Sequence, residues 1–325
     1  MKLLFVFALS VALLAQAPSS KAPEDLPAAI TVNVDIVNIL ATVRDKRGGL
    51  VPNLEKSDFT VLEDGKAQSI KYFTRETDLP LTIGLLVDVS RSQENLIGIE
   101  RNAASQFFSK VLRKKDEAFL ISFGEESELL QDYTGSPRLL EEGLNQLRVS
   151  SGVSGLHPGP VPTAGGPKGT VLYDAVYLAA NEKLKSEVGR KVLVLITDGV
   201  DQGSQMTRNQ AIEAAQKADA VIYSIDYQDP SAYGPFNFGG AGGEGELRRM
   251  SDETGGRVFK VDRKHPLDEV FQEIQDEMRS QYAIGYSPTN DVKDGSYRKL
   301  DIKMANKDLK VQARKGYYAT KPGAR

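Results

Sequence analysis

The sequence contains no cysteine and only two histidines, His157 and His265, in 325 residues. Without cysteine the chain has no disulfide, no thiol nucleophile and no thiolate metal ligand, so a metal site must use oxygen. His157 lies in a Gly/Pro-rich loop and His265 lies beside Pro266. Neither position has the strand-turn-helix context of a nucleophile elbow, so a histidine-dependent catalytic site is not expected.

A large excess of either charge is also lacking. The chain has 41 Lys and Arg against 44 Asp and Glu, a net charge of -3, and no basic block stands out. Nucleic acid is therefore not an expected partner. With 40% hydrophobic and 26% charged residues the chain can bury a sizeable core, which indicates one large domain and a smaller one.

The first 17 residues, MKLLFVFALSVALLAQA, have the pattern of a secretory signal. A lysine precedes an apolar run that is too short for a standard membrane span, and small residues follow it. Pro18 is unfavourable directly after a cleavage site, so a different cut and a retained anchor both stay open. We expect an exported protein, periplasmic, cell-surface or extracellular, with membrane contact only through this segment if it is uncleaved. Residues 18–28 are a Pro/Ala-rich linker.

Two β-rich flanks surround the centre of the chain. Residues 29–78 alternate apolar and polar positions, and Asp64-Gly65 between two such runs predicts a two-residue hairpin. Residues 281–320 return to the same pattern and are followed by a short tail, 321–325. Because neither flank has many strands of its own, we expect the two to pair into one small β-sandwich.

Residues 79–280 have a different period. Apolar runs such as TIGLLV, FLISF, VLVLI, AVIYSI and RVFKV alternate with helical patterns, one of them being Leu96, Ile99, Ala103, Phe107 and Val111. This alternation predicts an α/β domain with a doubly wound, mostly parallel, Rossmann-like sheet and helices on both faces, inserted in the sandwich.

Oxygen side chains follow the buried strands of this domain. Asp88, Ser90 and Ser92 end the run TIGLLV, Asp198 ends VLVLI, and Thr170 follows a long Gly/Pro loop. Ligands of open α/β sheets bind beyond the carboxyl ends of the strands, so we expect these side chains to converge. A site made only of oxygen suits Mg²⁺, Mn²⁺ or Ca²⁺ and does not suit zinc.

At these residues the chain resembles the von Willebrand factor type A (VWA) family, over roughly residues 80–280. The metal-ion-dependent adhesion site (MIDAS) of that family has the pattern DxSxS, a threonine and a TDG-like turn, and DVSRS, GT and TDG fill it here. The flanks resemble bacterial exported proteins described as VWFA-related. The resemblance implies that Asp88, Ser90, Ser92, Thr170 and Asp198 hold a divalent cation, the hydroxyls directly and the aspartates largely through water. It further implies that a partner protein's Asp or Glu carboxylate completes the coordination.

Plainer interpretations remain for each part of the pattern. Ser92 and Thr170 are also suitable helix caps, and Asp198-Gly199 is also a suitable turn. The loop acids Asp201, Glu125 and Glu126 are not counted as ligands. The Gly/Pro loop 150–168 leads directly to Thr170 and is a candidate for setting partner choice.

The sequence therefore predicts an exported, non-enzymatic module that binds proteins through Mg²⁺, with Mn²⁺ or Ca²⁺ as alternatives, and uses no small-molecule cofactor. A structural envelope protein with a vestigial metal site is one alternative. The other is a Mg²⁺-dependent phosphatase of the haloacid dehalogenase type, which would want an acid at position 90, where this chain has a serine.

Overall fold

The computed structural model describes residues 36–75, 79–150, 169–229 and 243–320. The chain separates into two compact units, Met1–Val34 and Asp35–Arg325, and every described residue belongs to the second. The predicted signal sequence, the linker, the loop 151–168 and the tail therefore lie outside the described residues. None of the helices in the described ranges has the length and hydropathy that a membrane crossing requires.

The N-terminal flank forms short antiparallel strands. They are β1 (Val37–Arg44), β2 (Phe59–Glu63), β3 (Lys66–Gln68) and β4 (Ile70–Arg75). Between β2 and β3, Asp64 has φ 47° and Gly65 has φ 80°. Left-handed backbone at both central positions is what a two-residue hairpin turn requires, so the predicted hairpin is confirmed.

The middle of the chain forms the central sheet. Its strands are β5 (Leu81–Asp88), β6 (Glu117–Phe123), β7 (Ser127–Thr134), β8 (Arg190–Thr197), β9 (Ala220–Asp226) and β10 (Val258–Lys260). Their order in the six-stranded sheet is β10-β9-β8-β5-β6-β7. All neighbours are parallel except β6 and β7, which are antiparallel. β5 therefore lies inside the sheet, between β8 and β6.

Helices cover both faces of this sheet. They are α1 (Ile97–Val111), α2 (Pro137–Leu144), α3 (Leu172–Leu178, continued by a π-helical turn Ala179–Leu184), α4 (Arg208–Lys217), α5 (Gly243–Thr254) and α6 (Leu267–Arg279). Leu85 and Val87 of β5 pack in one apolar cluster with α1, α2 and α6, and Leu86 packs in a second with α3, α4 and α5. Because β5 is buried on both faces, its residues 83–87 are an unbroken apolar run. The predicted doubly wound, mostly parallel α/β fold is confirmed.

The C-terminal flank supplies the remaining strands. They are β11 (Tyr282–Tyr286), β12 (Tyr297–Met304), β13 (Lys310–Ala313) and β14 (Gly316–Tyr318). They join the N-terminal strands in two four-stranded sheets, ordered β13-β1-β11-β4 and β14-β12-β2-β3. Ile39 and Ile284 of the first sheet share one core with Val61 and Leu300 of the second. The two flanks thus build one sandwich, as the pattern of the sequence predicted.

Ion pairs join the sandwich to the α/β part. Arg44 of β1 pairs with Glu277 of α6, which is fully buried and also accepts from Arg257 at 2.9 Å. Arg314, after β13, pairs with Asp219 at 2.6 Å. The last helix of the α/β part is therefore tied to the first described strand of the chain.

Candidate metal site

Asp88 is the last residue of β5, and its side chain is fully buried at the carboxyl edge of the central sheet. Its Oδ1 accepts a hydrogen bond from the Ser90 backbone N–H at 2.8 Å. Its Oδ2 accepts one from the Thr197 hydroxyl, at the end of the neighbouring strand β8, at 2.6 Å. Both carboxylate oxygens are thus held in fixed directions.

The two serines lie together beside Asp198. A 3₁₀ turn, Arg91–Gln93, follows Ser90, and the Ser90 and Ser92 hydroxyl oxygens are 3.1 Å apart. The Ser92 hydroxyl donates to Asp198 Oδ2 at 2.8 Å. Ser92 is not a cap of α1, because that helix begins only at Ile97, with Leu96 in the capping position. The structure therefore brings Asp88, Ser90, Ser92 and Asp198 into one hydrogen-bonded group.

Asp198 is positioned by a tight turn after β8. Its Oδ1 accepts from the Val200 backbone N–H at 3.0 Å, and Gly199 has φ 78°. A Cβ at Gly199 would lie 2.5 Å from the Gly243 carbonyl oxygen at the start of α5. Only glycine tolerates both the left-handed backbone and this close approach. The turn thus holds the Asp198 carboxylate against Ser92.

Thr170 lies at the same edge of the sheet, where backbone hydrogen bonds hold it between two loops. The next residue, Val171, donates its N–H to the carbonyl of Gly124, which follows β6, at 2.8 Å. The Thr170 carbonyl accepts from the N–H groups of Gln202 and Gly203, beyond β8, at 3.0 and 3.1 Å. Thr170 does not cap α3, whose N-cap is Val171. Among the described residues, no hydrogen bond joins its hydroxyl to the other four side chains.

Burial dominates the electrostatics of Asp88. It raises the pKa of the carboxyl from 3.8 to about 7, and the charge of Asp198 adds to the rise, while hydrogen bonds from Ser90 and Thr197 oppose it. Within the described residues Asp88 has no ion-pair partner. Its ionised form is therefore costly in the absence of a nearby positive charge.

The sequence did not single out three further polar residues that are fully buried in the α/β part. Thr197 orients Asp88 through its hydroxyl. It is the threonine of the TDG motif, from which the sequence pattern identifies only the aspartate as a ligand. Glu100 of α1 is fully buried, and neither of its carboxyl oxygens has a hydrogen-bond partner in the described part of the chain. Burial, followed by the charge of Asp88, raises the pKa of Glu100 well above its usual range. Gln93 is fully buried too, and its side-chain amide has no partner in the same ranges.

The donor chemistry fits a hard divalent cation. The proposed set offers two carboxylates and three hydroxyls, which are the ligands that Mg²⁺, Mn²⁺ and Ca²⁺ accept. A positive charge beside Asp88 would offset the cost of ionising its buried carboxyl. No three His, Asp or Glu side chains come together as a metal-binding group in the described ranges. The predicted set does not need such a group, because most of its members are hydroxyls.

Fold and site together define a doubly wound α/β protein with a group of oxygen side chains at the carboxyl edge of its sheet. No protein-family model matches the chain, and no curated protein matches it.

Solved structures with a related path of the chain include BatB from Bacteroides thetaiotaomicron. It is 16% identical, with a TM-score of 0.45, over 61% of this chain and 97% of that one. Proximal thread matrix protein 1 from the mussel byssus, with a zinc-occupied MIDAS motif, is 12% identical, with a TM-score of 0.47, over 67% and 50%. The PilB minor pilin from Streptococcus sanguinis is 11% identical, with a TM-score of 0.43, over 63% and 62%. At these identities no residue role passes from those proteins to this one, so the assignment of ligands rests on the geometry above.

Proposed function

We propose that this chain is an exported, non-enzymatic module that binds a partner protein through a divalent cation. The observation that carries the proposal is the hydrogen-bonded group of Asp88, Ser90, Ser92 and Asp198, assembled from the ends of β5 and β8. Mg²⁺ is the proposed cation, with Mn²⁺ and Ca²⁺ as alternatives. Thr170 is the fifth proposed ligand, since backbone hydrogen bonds of residues 170 and 171 connect it to the loops that follow β6 and β8.

Each residue of the group has a definable task. The hydroxyls of Ser90, Ser92 and Thr170 are neutral ligands, and the two aspartates are the only negative members of the set. Thr197 and the Ser90 N–H fix both oxygens of Asp88, while Asp198 fixes Ser92. When bound, the cation would supply a Lewis-acidic position able to accept a carboxylate oxygen from an Asp or Glu of the partner.

The hydrolase alternative finds no support at this site. A phosphatase of the haloacid dehalogenase type would want an acid two residues after the nucleophile, and Ser90 occupies that position with its hydroxyl beside Ser92. His265 is exposed next to the start of α6, and in the described residues its imidazole pairs only with Asp262. A binding module, as proposed, requires no catalytic group at this site.

The place of action follows from the N-terminal pattern of the sequence. A secretory signal would deliver the protein to the periplasm, the cell surface or the medium, where millimolar divalent cation is common. The partner would then be another envelope or extracellular protein, which presents an acidic side chain.

Affinity capture with the intact protein tests this function. Envelope extracts are passed over the immobilised wild type in Mg²⁺, and bound proteins are released with EDTA and identified. Each candidate is then purified and its binding measured directly against wild type, Asp88→Asn and Asp226→Asn. Asp226 is a matched control, because it also ends a strand, is 1% exposed and is not a proposed ligand. We expect binding that is lost with EDTA and in Asp88→Asn and kept in Asp226→Asn; partners held equally well in EDTA would contradict the mechanism.

A further inference from the structure

Thr170 is the one proposed ligand that the hydrogen-bonded group does not hold. Hydrogen bonds connect the other four residues at the ends of β5 and β8, whereas in the described residues the Thr170 hydroxyl forms none with their side chains. Its place at the site therefore depends on what holds residues 169–174, which we call the Thr170 segment. The segment lies against the loop 201–206, which follows the turn at Asp198.

The backbones of the Thr170 segment and of the loop are in direct contact. A Cβ at Gly203 would lie 2.5 Å from the Gly169 carbonyl oxygen, and a Cβ at Gly169 would lie 2.3 Å from Gln202 Cβ. Both positions therefore need glycine, because a side chain at either would force the two backbones apart. The close approach lets the Thr170 carbonyl accept from the N–H groups of Gln202 and Gly203.

Ser204 of the loop supplies the acceptor that the start of α3 lacks. The N-cap residue of α3 is Val171, which has no side-chain oxygen, so the first N–H groups of the helix need another acceptor. Ser204 Oγ accepts from the N–H groups of Tyr173 and Asp174 at 3.0 and 3.1 Å. A residue beyond β8 thus caps the helix that follows Thr170.

Asp201 fixes the direction of this hydroxyl. Ser204 donates to Asp201 Oδ1 at 2.6 Å, so the lone pairs of its Oγ are left for the two N–H groups of α3. Asp174 makes the reciprocal contact, because its carboxylate accepts from the N–H groups of Gln205 and Met206 at 3.0 and 2.7 Å. Side-chain hydrogen bonds therefore join the segment and the loop in both directions.

We propose that Ser204, oriented by Asp201, is a positioning residue of the cation site. It holds the Thr170 segment against the loop that follows Asp198, and so fixes the place of the Thr170 hydroxyl relative to the other ligands. This inference rests on the proposed function and adds a residue that affects cation specificity. Mg²⁺ demands near-ideal octahedral geometry at about 2.0–2.1 Å, whereas Ca²⁺ accepts flexible ligands at about 2.3–2.6 Å. Loss of the Ser204 contact should therefore reduce Mg²⁺ affinity more than Ca²⁺ affinity.

Titration calorimetry of the intact protein with Mg²⁺ and with Ca²⁺ tests this role. Ser204→Ala should fold, since Ser204 is half-buried, and should weaken Mg²⁺ binding about tenfold and Ca²⁺ binding less. Thr207→Ala is the matched control, because the Thr207 hydroxyl also caps a helix, α4, directly after the loop. This control should lower the free energy of unfolding in urea and leave Mg²⁺ affinity unchanged. The inference is overturned by unchanged Mg²⁺ affinity in Ser204→Ala, by equal losses for Mg²⁺ and Ca²⁺, or by an equal loss of Mg²⁺ affinity in Thr207→Ala.

A double-mutant cycle shows whether Ser204 acts through Thr170. Thr170→Val keeps the shape of the side chain, removes the hydroxyl and should weaken Mg²⁺ binding. Adding Ser204→Ala to Thr170→Val should then change the affinity by no more than about twofold. The same loss in both backgrounds, or Thr170→Val binding like the wild type, would overturn the inference and leave the proposed function to the other four ligands. If the wild type binds no cation, the proposed function fails and the inference fails with it.

Discussion

Ser92 donates a hydrogen bond to Asp198 at 2.8 Å although 106 positions of sequence separate them. This bond joins the segment after β5 to the turn after β8. It places a hydroxyl and a carboxylate of the predicted ligand set side by side. A hydrogen bond that fixes two proposed ligands lowers the cost of ordering them when a cation binds.

Ser92→Ala should weaken cation binding at least about tenfold, because it removes one proposed ligand and the hydroxyl that donates to Asp198 Oδ2. The fold should lose only about 1 kcal/mol, since Ser92 is half-buried. Titration calorimetry with Mg²⁺ or Mn²⁺ measures the first quantity and urea denaturation the second. Ser109→Ala is the control, because that exposed hydroxyl donates only to the Gln106 carbonyl within α1. Unchanged affinity in Ser92→Ala would remove Ser92 from the site.

Thr197→Val should destabilise the protein by about 1–3 kcal/mol. The change keeps the shape of the side chain but removes the hydroxyl that donates to Asp88 Oδ2 and accepts from the Gly199 N–H. Thr42→Val is a matched control, since Thr42 is 1% exposed and its hydroxyl has no partner among the described residues. Urea denaturation should show a large loss for Thr197→Val and little or none for Thr42→Val. Equal effects would mean that the Thr197–Asp88 bond does not stabilise the strand ends.

Cation affinity should depend on pH through Asp88. Its pKa is raised to about 7 by burial, and the ionised carboxylate is the form that serves a metal site. Affinity should therefore be about tenfold lower near pH 6 than near pH 8. Calorimetry in buffers of different ionisation enthalpy should detect proton release at the lower pH. A flat profile would contradict a role for the Asp88 carboxylate.

The metal-free protein should show the opposite trend in stability. The folded-state pKa of Asp88 exceeds the ordinary value of 3.8. The Asp88 carboxyl therefore adds fully to the free energy of unfolding below about pH 4, and this stabilisation is lost as the pH rises through about 7. Asp88→Asn should lack this component. Comparing urea denaturation of the two proteins across this range in EDTA isolates the contribution of this one carboxyl from those of other groups.

The shared sandwich predicts how fragments behave. Residues 18–78 should not fold alone, because β1 pairs with β11 and β13, and β2 pairs with β12. Residues 79–280 should fold, since both apolar clusters of the central sheet belong to them almost entirely. Circular dichroism with thermal denaturation distinguishes the cases. Cooperative unfolding of the N-terminal fragment by itself would disprove the shared sandwich.

The sequence predicted the strands that are buried on both faces, because a short, unbroken run of apolar residues is typical of such strands. It did not predict β7, whose side chains are mostly partly or fully exposed at the sheet edge and show no such run. The helical pattern of α1 included Ile99, which is 52% exposed, and it did not include Glu100, which is fully buried. Hydrophobicity favours isoleucine inside, and only tertiary packing shows that a carboxyl occupies the inner position.

The convergence of the candidate ligands was predictable from the predicted parallel sheet. Strand ends of a parallel sheet meet at one edge, so Asp88 and Asp198 had to be neighbours once β5 and β8 were paired. The strand order itself, and the hydrogen bond from Thr197 to Asp88, depend on long-range pairing that no local pattern encodes. Thr170 shows what is still missing: its place at the edge was predicted, while in the described residues its hydroxyl forms no hydrogen bond with the other four side chains.

The most direct test of the account is the melting temperature of the intact protein with and without cation. At about ten times the dissociation constant, Mg²⁺ or Mn²⁺ should stabilise the fold by about 1.4 kcal/mol and raise the melting temperature by about 2–5 °C. Asp88→Asn should abolish the shift while keeping the size and shape of the side chain, and Asp226→Asn should retain the shift. If Mg²⁺, Mn²⁺ and Ca²⁺ all leave the wild type unchanged at millimolar concentration, or if the shift survives in Asp88→Asn, the proposed metal site is contradicted.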